Sequence, residues 1–228
     1  MIEIRCLDIT DMQPEVYEKL YLLCTKERQD KINRYAREED RRRGVAAHVL
    51  MKYGWLESGR KAERLRISCN AYGKPYIQND ETFYFNLSHA GNWVAMAYSD
   101  SPVGIDVEQL RKNRGGIAKQ FFGEREKKYI RDADSQEEAD RRFIQIWTIK
   151  ESYLKYLGVG LQKELNSFDV EVGEVIQVYD RTGDKSGQLS LFSRQFHGSY
   201  YLSVCGAERG IRLRELRAED LLGNASIG

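Results

Sequence analysis

Histidine and cysteine are scarce in this chain of 228 residues, with three of the first and four of the second. Cys6, Cys24, Cys69 and Cys205 are scattered and form no C-x-x-C pair. Together with His48, His89 and His197 they offer no zinc-site spacing, and a reduced, cytoplasmic protein is the simplest expectation. Net charge is also nearly absent, since 36 Lys and Arg offset 35 Asp and Glu to leave +1. Global charge therefore points neither to a nucleic-acid binder nor to a disordered chain, and any electrostatic function must come from local clusters. No apolar run approaches the roughly 20 residues that span a bilayer, so no membrane partner is expected. The opening MIEIRCLDIT lacks a basic start, an apolar stretch and a small-residue cleavage site, so no signal peptide is expected. A G-x-S-x-G nucleophile elbow is missing too.

Core-forming residues are plentiful: 41% are hydrophobic, among them three Trp, fourteen Tyr and eight Phe, enough for one large domain or two small ones. A short strand is expected over residues 1–9, a helix over 14–24 and a longer helix from about Glu27 to Trp55. A strand near 65–69 precedes a turn in AYGKPYI, residues 71–77. TFYFNLSH and NWVAMAYS read as two strands joined around Ala90 and Gly91, and VGIDVE (103–108) follows. RKNRGG (111–116) is a polar connection, and helices are expected over 117–130 and 137–157. Strands are expected over 167–172, near 188–196 and over 199–206, with a turn cluster at 180–187 and a frayed tail in GNASIG.

The chain echoes itself. ERQDKINR (27–34) resembles EREKKYIR (124–131), EEDRRR (38–43) resembles EEADRRF (137–143), and HAGNWVAMA (89–97) resembles HGSYYLSVC (197–205). Taken as a duplication, the echo predicts an α/β (α+β) fold of two similar halves, 1–102 and 103–228, packed as a pseudo-dimer. Each half has a small antiparallel sheet packed on a long helix.

The junction of the halves is VGIDVE. Its period of two puts Val103, Ile105 and Val107 on one face and Gly104, Asp106 and Glu108 on the other. Two neighbouring carboxylates repel, so their face meets either solvent or something positive. In WTIKESYLK (147–155), helical spacing brings Trp147, Glu151 and Lys155 to one face. Glu151 opposite Asp106 and Glu108 would make a three-carboxylate cluster that suits magnesium, a hard ion that shares its shell with substrate phosphates and water. Arg28, Lys31, Arg34 and Arg37 recur at helical spacing before Arg41, Arg42 and Arg43, and Lys74 lies in a tight turn. These form either a phosphate cradle or a solvated helix face paired with Glu27, Glu38, Glu39 and Asp40; the interleaved acids argue against a long polyanion. His89 follows Ser88 on a strand, so the two face opposite ways and make a poor nucleophile–base pair. His89 is either a phosphate donor or a packed turn residue.

GKPY (73–76), FNLSHAGNWVAMA (85–97), GIDVE (104–108), FFGEREKKYI (121–130) and WTIKESYLKYLGVGL (147–161) together resemble the phosphopantetheinyl transferases of the surfactin-synthetase-activating type. The resemblance covers residues 23 to 172. It implies two similar α/β halves with the active site between them. The first half binds the coenzyme's phosphates, and the second carries the magnesium and catalytic motifs. Coenzyme A is the implied donor, a serine of an apo acyl or peptidyl carrier protein the acceptor, and 3′,5′-ADP the product. Fatty-acid, polyketide and nonribosomal-peptide carriers share that acceptor serine. Asp106, Glu108 and Glu151 match the magnesium ligands, while Glu151 and Lys155 match the catalytic pair. Arg28, Lys31, Arg43, Gly73, Lys74, Pro75, Ser88, His89 and Lys155 match coenzyme-binding positions. Arg28 stands where some relatives have lysine, which keeps the charge and changes the geometry. Lys150 has no assigned role, and Glu126 is either a supporting residue or a surface helix residue. A monomer is expected. A magnesium-dependent phosphohydrolase and a non-catalytic carrier-binding module of the same fold are the alternatives.

Overall fold

The computed structural model describes residues 1–110, 118, 120–180 and 189–225. The expected connection at 111–116, most of the 180–187 turn cluster and the end of the tail lie outside the described residues. Strand β1 (Ile2–Asp8) opens the chain, followed by helices α1 (Pro14–Leu22), α2 (Lys26–Asn33) and α3 (Glu38–Glu57). Next come the hairpin β2 (Ile67–Cys69) and β3 (Pro75–Ile77), then β4 (Tyr84–Ala90), β5 (Trp93–Ser99) and β6 (Val103–Gln109). The second half continues with α4 (Glu124–Arg131), α5 (Gln136–Leu157), β7 (Phe168–Glu171), β8 (Gln177–Asp180), β9 (Ser190–Phe196) and β10 (Tyr200–Gly206). Strand β11 (Ile211–Leu216) and helix α6 (Asp220–Ala225) follow.

Local chemistry explains several boundaries. Pro14 begins α1, where its missing N–H costs nothing. The Thr25 hydroxyl caps α2 by accepting from the Arg28 amide, and the Ser135 hydroxyl caps α5 by accepting from that of Glu138. Gly158, at φ 70°, ends α5 in the left-handed conformation. The single helix expected from Glu27 to Trp55 is instead two, broken at residues 34–37. The break lets α2 fold back on α3. Ile32 and Tyr35 close over Gly44, where a Cβ would lie 3.1 Å from each, and Arg28 donates to the Gly44 carbonyl.

The two expected halves are visible in the strand order. Strands β1-β5-β4 and β6-β10-β9 run in the same sequence, and every neighbour in both sets is antiparallel. The echoed segments fall on matching elements, α2 with α4 and the β4–β5 turn with the β9–β10 turn. The division at residue 102 is nevertheless not clean. Strand β11 pairs in parallel with β1, Ile2 opposite Ile211, so the first sheet is mixed and the end of the chain completes the first half.

The layers run helix, sheet, sheet, helix. Leu7, Val94 and Met96 pack against Val49, Leu50 and Trp55 of α3. Ile4, Cys6, Ala95 and Ala97 turn the other way and meet Val103, Ile105, Val107, Leu202 and Val204 of the second sheet. Phe143, Ile146, Ile149 and Tyr153 of α5 then cover that sheet's outer face with Cys205. Because β5 has core on both faces, all seven of its residues are buried, which is why its sequence hardly alternates.

Among the described glycines, Gly104 makes the closest approach. A Cβ there would lie 2.0 Å from the Ser152 carbonyl oxygen and 2.4 Å from the Tyr156 amide nitrogen of α5. Both are main-chain atoms that cannot swing aside. Gly104→Ala is expected to cost about 3 kcal/mol or more in urea unfolding through overpacking. A loss below about 1 kcal/mol would show that β6 and α5 are not in contact.

Candidate active site

The edges of the two sheets meet at β4 and β6. No main-chain ladder joins these strands; side chains bridge them instead. Asn86 Oδ1 accepts from the Ile105 amide at 2.9 Å, and Ser88 Oγ accepts from the Val107 amide at 3.2 Å. The alternation of VGIDVE then decides what each residue meets. Val103, Ile105 and Val107 enter the core between the sheets, while Gly104 and Asp106 face β4 and α5.

Lys155 supplies the positive charge that the carboxylates demand. Its Nζ donates to Asp106 Oδ1 at 2.7 Å, Ser88 Oγ at 3.0 Å and the Ile105 carbonyl at 3.1 Å. Ser88 in turn donates to Asp106 Oδ1 at 2.8 Å. One turn earlier on α5, Glu151 shares this field. Burial raises its pKa and Asp106 pushes it higher; Lys155 opposes the rise and Glu108 adds to it. The strand and the helix thus bring Asp106, Glu108 and Glu151 into one electrostatic neighbourhood. Among the described residues, no group of three or more His, Cys, Asp or Glu is placed to hold an ion unaided.

A cationic edge adjoins the carboxylates. Ser88 points into the junction while His89, next along the strand, is exposed. Although the residue is exposed, partial desolvation by the protein around its ring, with Arg43 and Lys155 nearby, lowers the His89 pKa and favours neutral imidazole. Arg43 reaches from α3 to donate to the Gly91 carbonyl at 2.6 Å and pairs with Asp40. Lys31 is exposed on α2. Arg28 spends Nε and one Nη on the Gly44 carbonyl, a packing role that a lysine would fill with a single atom. Gly73, at φ 83°, sits in a turn organised by Asn70, whose side-chain oxygen accepts from the Tyr72 and Lys74 amides at 2.9 Å, and Pro75 opens β3. The Lys74 Nζ meets the carbonyls of Val103, Lys155 and Tyr156.

Two further residues of the motifs are structural. Lys150 is fully buried, donates to Glu126 Oε1 at 2.5 Å and to the Phe168 carbonyl at 2.6 Å, and lies 4.3 Å from the centre of the Phe168 ring. Glu126 is equally buried, which corrects the surface reading. Its carboxylate accepts from the Gly123 amide at 2.8 Å and the Val170 amide at 2.7 Å. Burial raises its pKa, and Lys150 opposes the rise. The pair ties α4, α5 and β7 together. Asn70, which also donates to the Gly158 carbonyl at 2.9 Å, was not expected at all. Its signal is the N-x-x-G turn pattern.

Residues 102–205 match the family model described as the 4'-phosphopantetheinyl transferase superfamily, and residues 12–101 match the model of a 4'-phosphopantetheinyl transferase N-terminal region. The 4'-phosphopantetheinyl transferase Sfp of Bacillus subtilis (strain 168) is 30% identical over 86% of this chain and 88% of its own. The chain belongs to the 4'-phosphopantetheinyl transferase superfamily. The 4'-phosphopantetheinyl transferase gsp of Aneurinibacillus migulanus is also 30% identical, over 90% of this chain and 86% of its own. A solved holo-[acyl-carrier-protein] synthase (AcpS) of Thermotoga maritima overlaps 48% of this chain and 64% of its own at 18% identity and a TM-score of 0.39, too loosely to bear on the site. The two family models meet at residues 101 and 102, directly before β6. This transferase therefore has its carboxylate–lysine cluster where its two matched regions join.

Removing either partner of the buried pair, in Lys150→Met or Glu126→Gln, is expected to cost about 3–5 kcal/mol in urea unfolding. The double variant Glu126→Leu/Lys150→Met should lose much less than the sum. Additive losses would mean that the two residues are not coupled. For Glu151 the folded pKa lies above the unfolded value. Its ionised form therefore costs stability as pH rises through that raised value and costs nothing below the unfolded one. Glu151→Gln should raise the melting temperature of the ligand-free protein at pH 7.5 and leave it unchanged near pH 4. A lower melting temperature at pH 7.5 would contradict this.

Proposed function

We propose that this transferase moves the phosphopantetheine arm of coenzyme A to a serine of an apo acyl or peptidyl carrier protein at the junction of its two halves. The observation that carries the reading is Lys155 on Asp106 and Ser88, beside Glu151 and next to the His89–Arg43 edge. Oxygen donors on one side and cations on the other suit a metal-bound pyrophosphate. His89, Arg43 and Lys31 would hold coenzyme phosphates, with Arg28 shaping the same wall. Gly73 and Pro75 would let the coenzyme approach the turn closely.

The chemistry follows from the charges. A serine hydroxyl is a weak nucleophile near neutral pH and needs a base. Glu151, with its raised pKa, would take the hydroxyl proton as the serine oxygen bonds to the phosphorus bearing the pantetheine arm. The bond from that phosphorus to the oxygen of the 3′,5′-ADP phosphate breaks, and Lys155 neutralises or protonates the departing phosphate. Asp106, Glu108 and Glu151 would hold magnesium, which when bound would offset charge on the pyrophosphate. The hard oxygen donors fit such an ion, as do the burial and the neighbouring carboxylates that raise the Glu151 pKa. In this reading the protein works as a monomer in the cytoplasm. No described helix is long and apolar enough to cross a membrane.

The test is to incubate the protein with coenzyme A, magnesium and a panel of apo carriers from fatty-acid, polyketide and nonribosomal-peptide systems, and to weigh the carriers by mass spectrometry. Gain of one phosphopantetheine arm, dependent on magnesium, is expected. Glu151→Gln and Lys155→Ala should each lower turnover by about 100-fold or more while circular dichroism stays native. Cleavage of coenzyme A without transfer would favour a phosphohydrolase. Carrier binding without either reaction would favour a non-catalytic module.

A further inference from the structure

Lys74 looks, in sequence, like one more cation for a phosphate. The structure gives its charge a different neighbourhood. The Nζ sits 3.2 Å from the Val103 carbonyl and 3.4 Å from that of Tyr156, and it also donates to the carbonyl of Lys155 itself. An α-helix ends with four carbonyls that lack intrahelical partners. In α5 the Leu154 carbonyl is taken by the Gly158 amide, and those of Lys155 and Tyr156 are taken by Lys74. The Lys74 stem packs over Gly158, where a Cβ would lie 3.2 Å from Lys74 Cδ. Burial pushes the Lys74 pKa down to about 8, in keeping with an ammonium turned inward.

The reason for this placement lies in Gly104. Its close approach to Ser152 and Tyr156 brings the start of β6 against the last turn of α5, so three carbonyl oxygens converge where strand and helix meet. Like dipoles pointed at one another repel, and a cation at the negative end of the helix removes that repulsion. The cation comes from the first half of the chain, on the turn built by Asn70, which secures the Gly158 carbonyl as well.

We propose that Lys74 is a positioning residue, which clamps the last turn of α5 from the opposite half and so holds Lys155 on Asp106 and Ser88, rather than a ligand of the coenzyme's phosphates. This rests on the catalytic reading of Lys155 given above. A reacting group displaced by about 1 Å can lose about 100-fold in rate, so a frayed turn at Lys155 should appear in turnover before it appears in coenzyme binding.

The experiment compares the full-length protein with Lys74→Met, which keeps the stem and loses the charge. Two readouts are taken: kcat and KM for coenzyme A, and hydrogen exchange of the α5 C-terminal amides without coenzyme. The clamp predicts that kcat falls about 10- to 100-fold while KM for coenzyme A stays within about threefold. It also predicts that the amides of Lys155 to Gly158 exchange at least about tenfold faster. Unchanged exchange overturns the proposal whatever the kinetics, and so does a rise of tenfold or more in KM with kcat preserved, the pattern of a phosphate ligand. Should Lys74→Met fail to fold, Asn70→Ala, which loosens the turn that carries Lys74, must speed the same amides; unaltered exchange there overturns the clamp as well. If the unmodified protein transfers nothing to any carrier, the catalytic reading fails by itself, while exchange still reports on the clamp.

Discussion

The site depends on one close contact, that of strand β6 with the backbone of α5 at Gly104. With no side chain in the way, the strand comes near enough for Lys155 to reach the Ile105 carbonyl, Asp106 and Ser88 together. The same approach places Glu151 in the field of Asp106 and Glu108. A larger residue would push the helix off the strand and separate the lysine from its carboxylate.

Around that contact each half supplies part of the cluster. The second half supplies the carboxylates and Lys155. The first half supplies His89, Arg43 and Lys74, together with Ser88 and Asn86, which replace a main-chain ladder between the sheets. Side-chain bridges at this edge leave room for Lys155 to enter between the strands, which continuous pairing would close. Further from the cleft, the buried Lys150–Glu126 pair secures α5 to α4 and β7, so the helix bearing the two proposed catalytic residues is held on both sides.

Much of the fold was legible because duplication leaves a local trace. The echo between 27–34 and 124–131 lies on α2 and α4, and the echo between His89 and His197 lies on corresponding strand turns. The alternation of VGIDVE was legible for the same reason: a strand's period of two sorts faces without knowledge of the partner. Less legible were features whose cause lies far along the chain. The break at 34–37 comes from α2 closing over Gly44, and β11 owes its place to the free edge of β1. The contacts of Lys74 are not legible in sequence, because a charge in a turn carries no mark of whether it faces a ligand or the end of a distant helix.

The sequence by itself therefore determined that Asp106 and Glu108 share a face, that Glu151 and Lys155 share another, and that the halves are related. Those are consequences of periodicity and repetition, which act over a few residues. Only the tertiary structure decided which charge meets which. It gave Lys155 to Asp106, Lys150 to Glu126 and Lys74 to the last turn of α5. All three lysines carry the same charge in sequence; burial and the distance to an acceptor tell them apart, and both depend on residues that are remote along the chain.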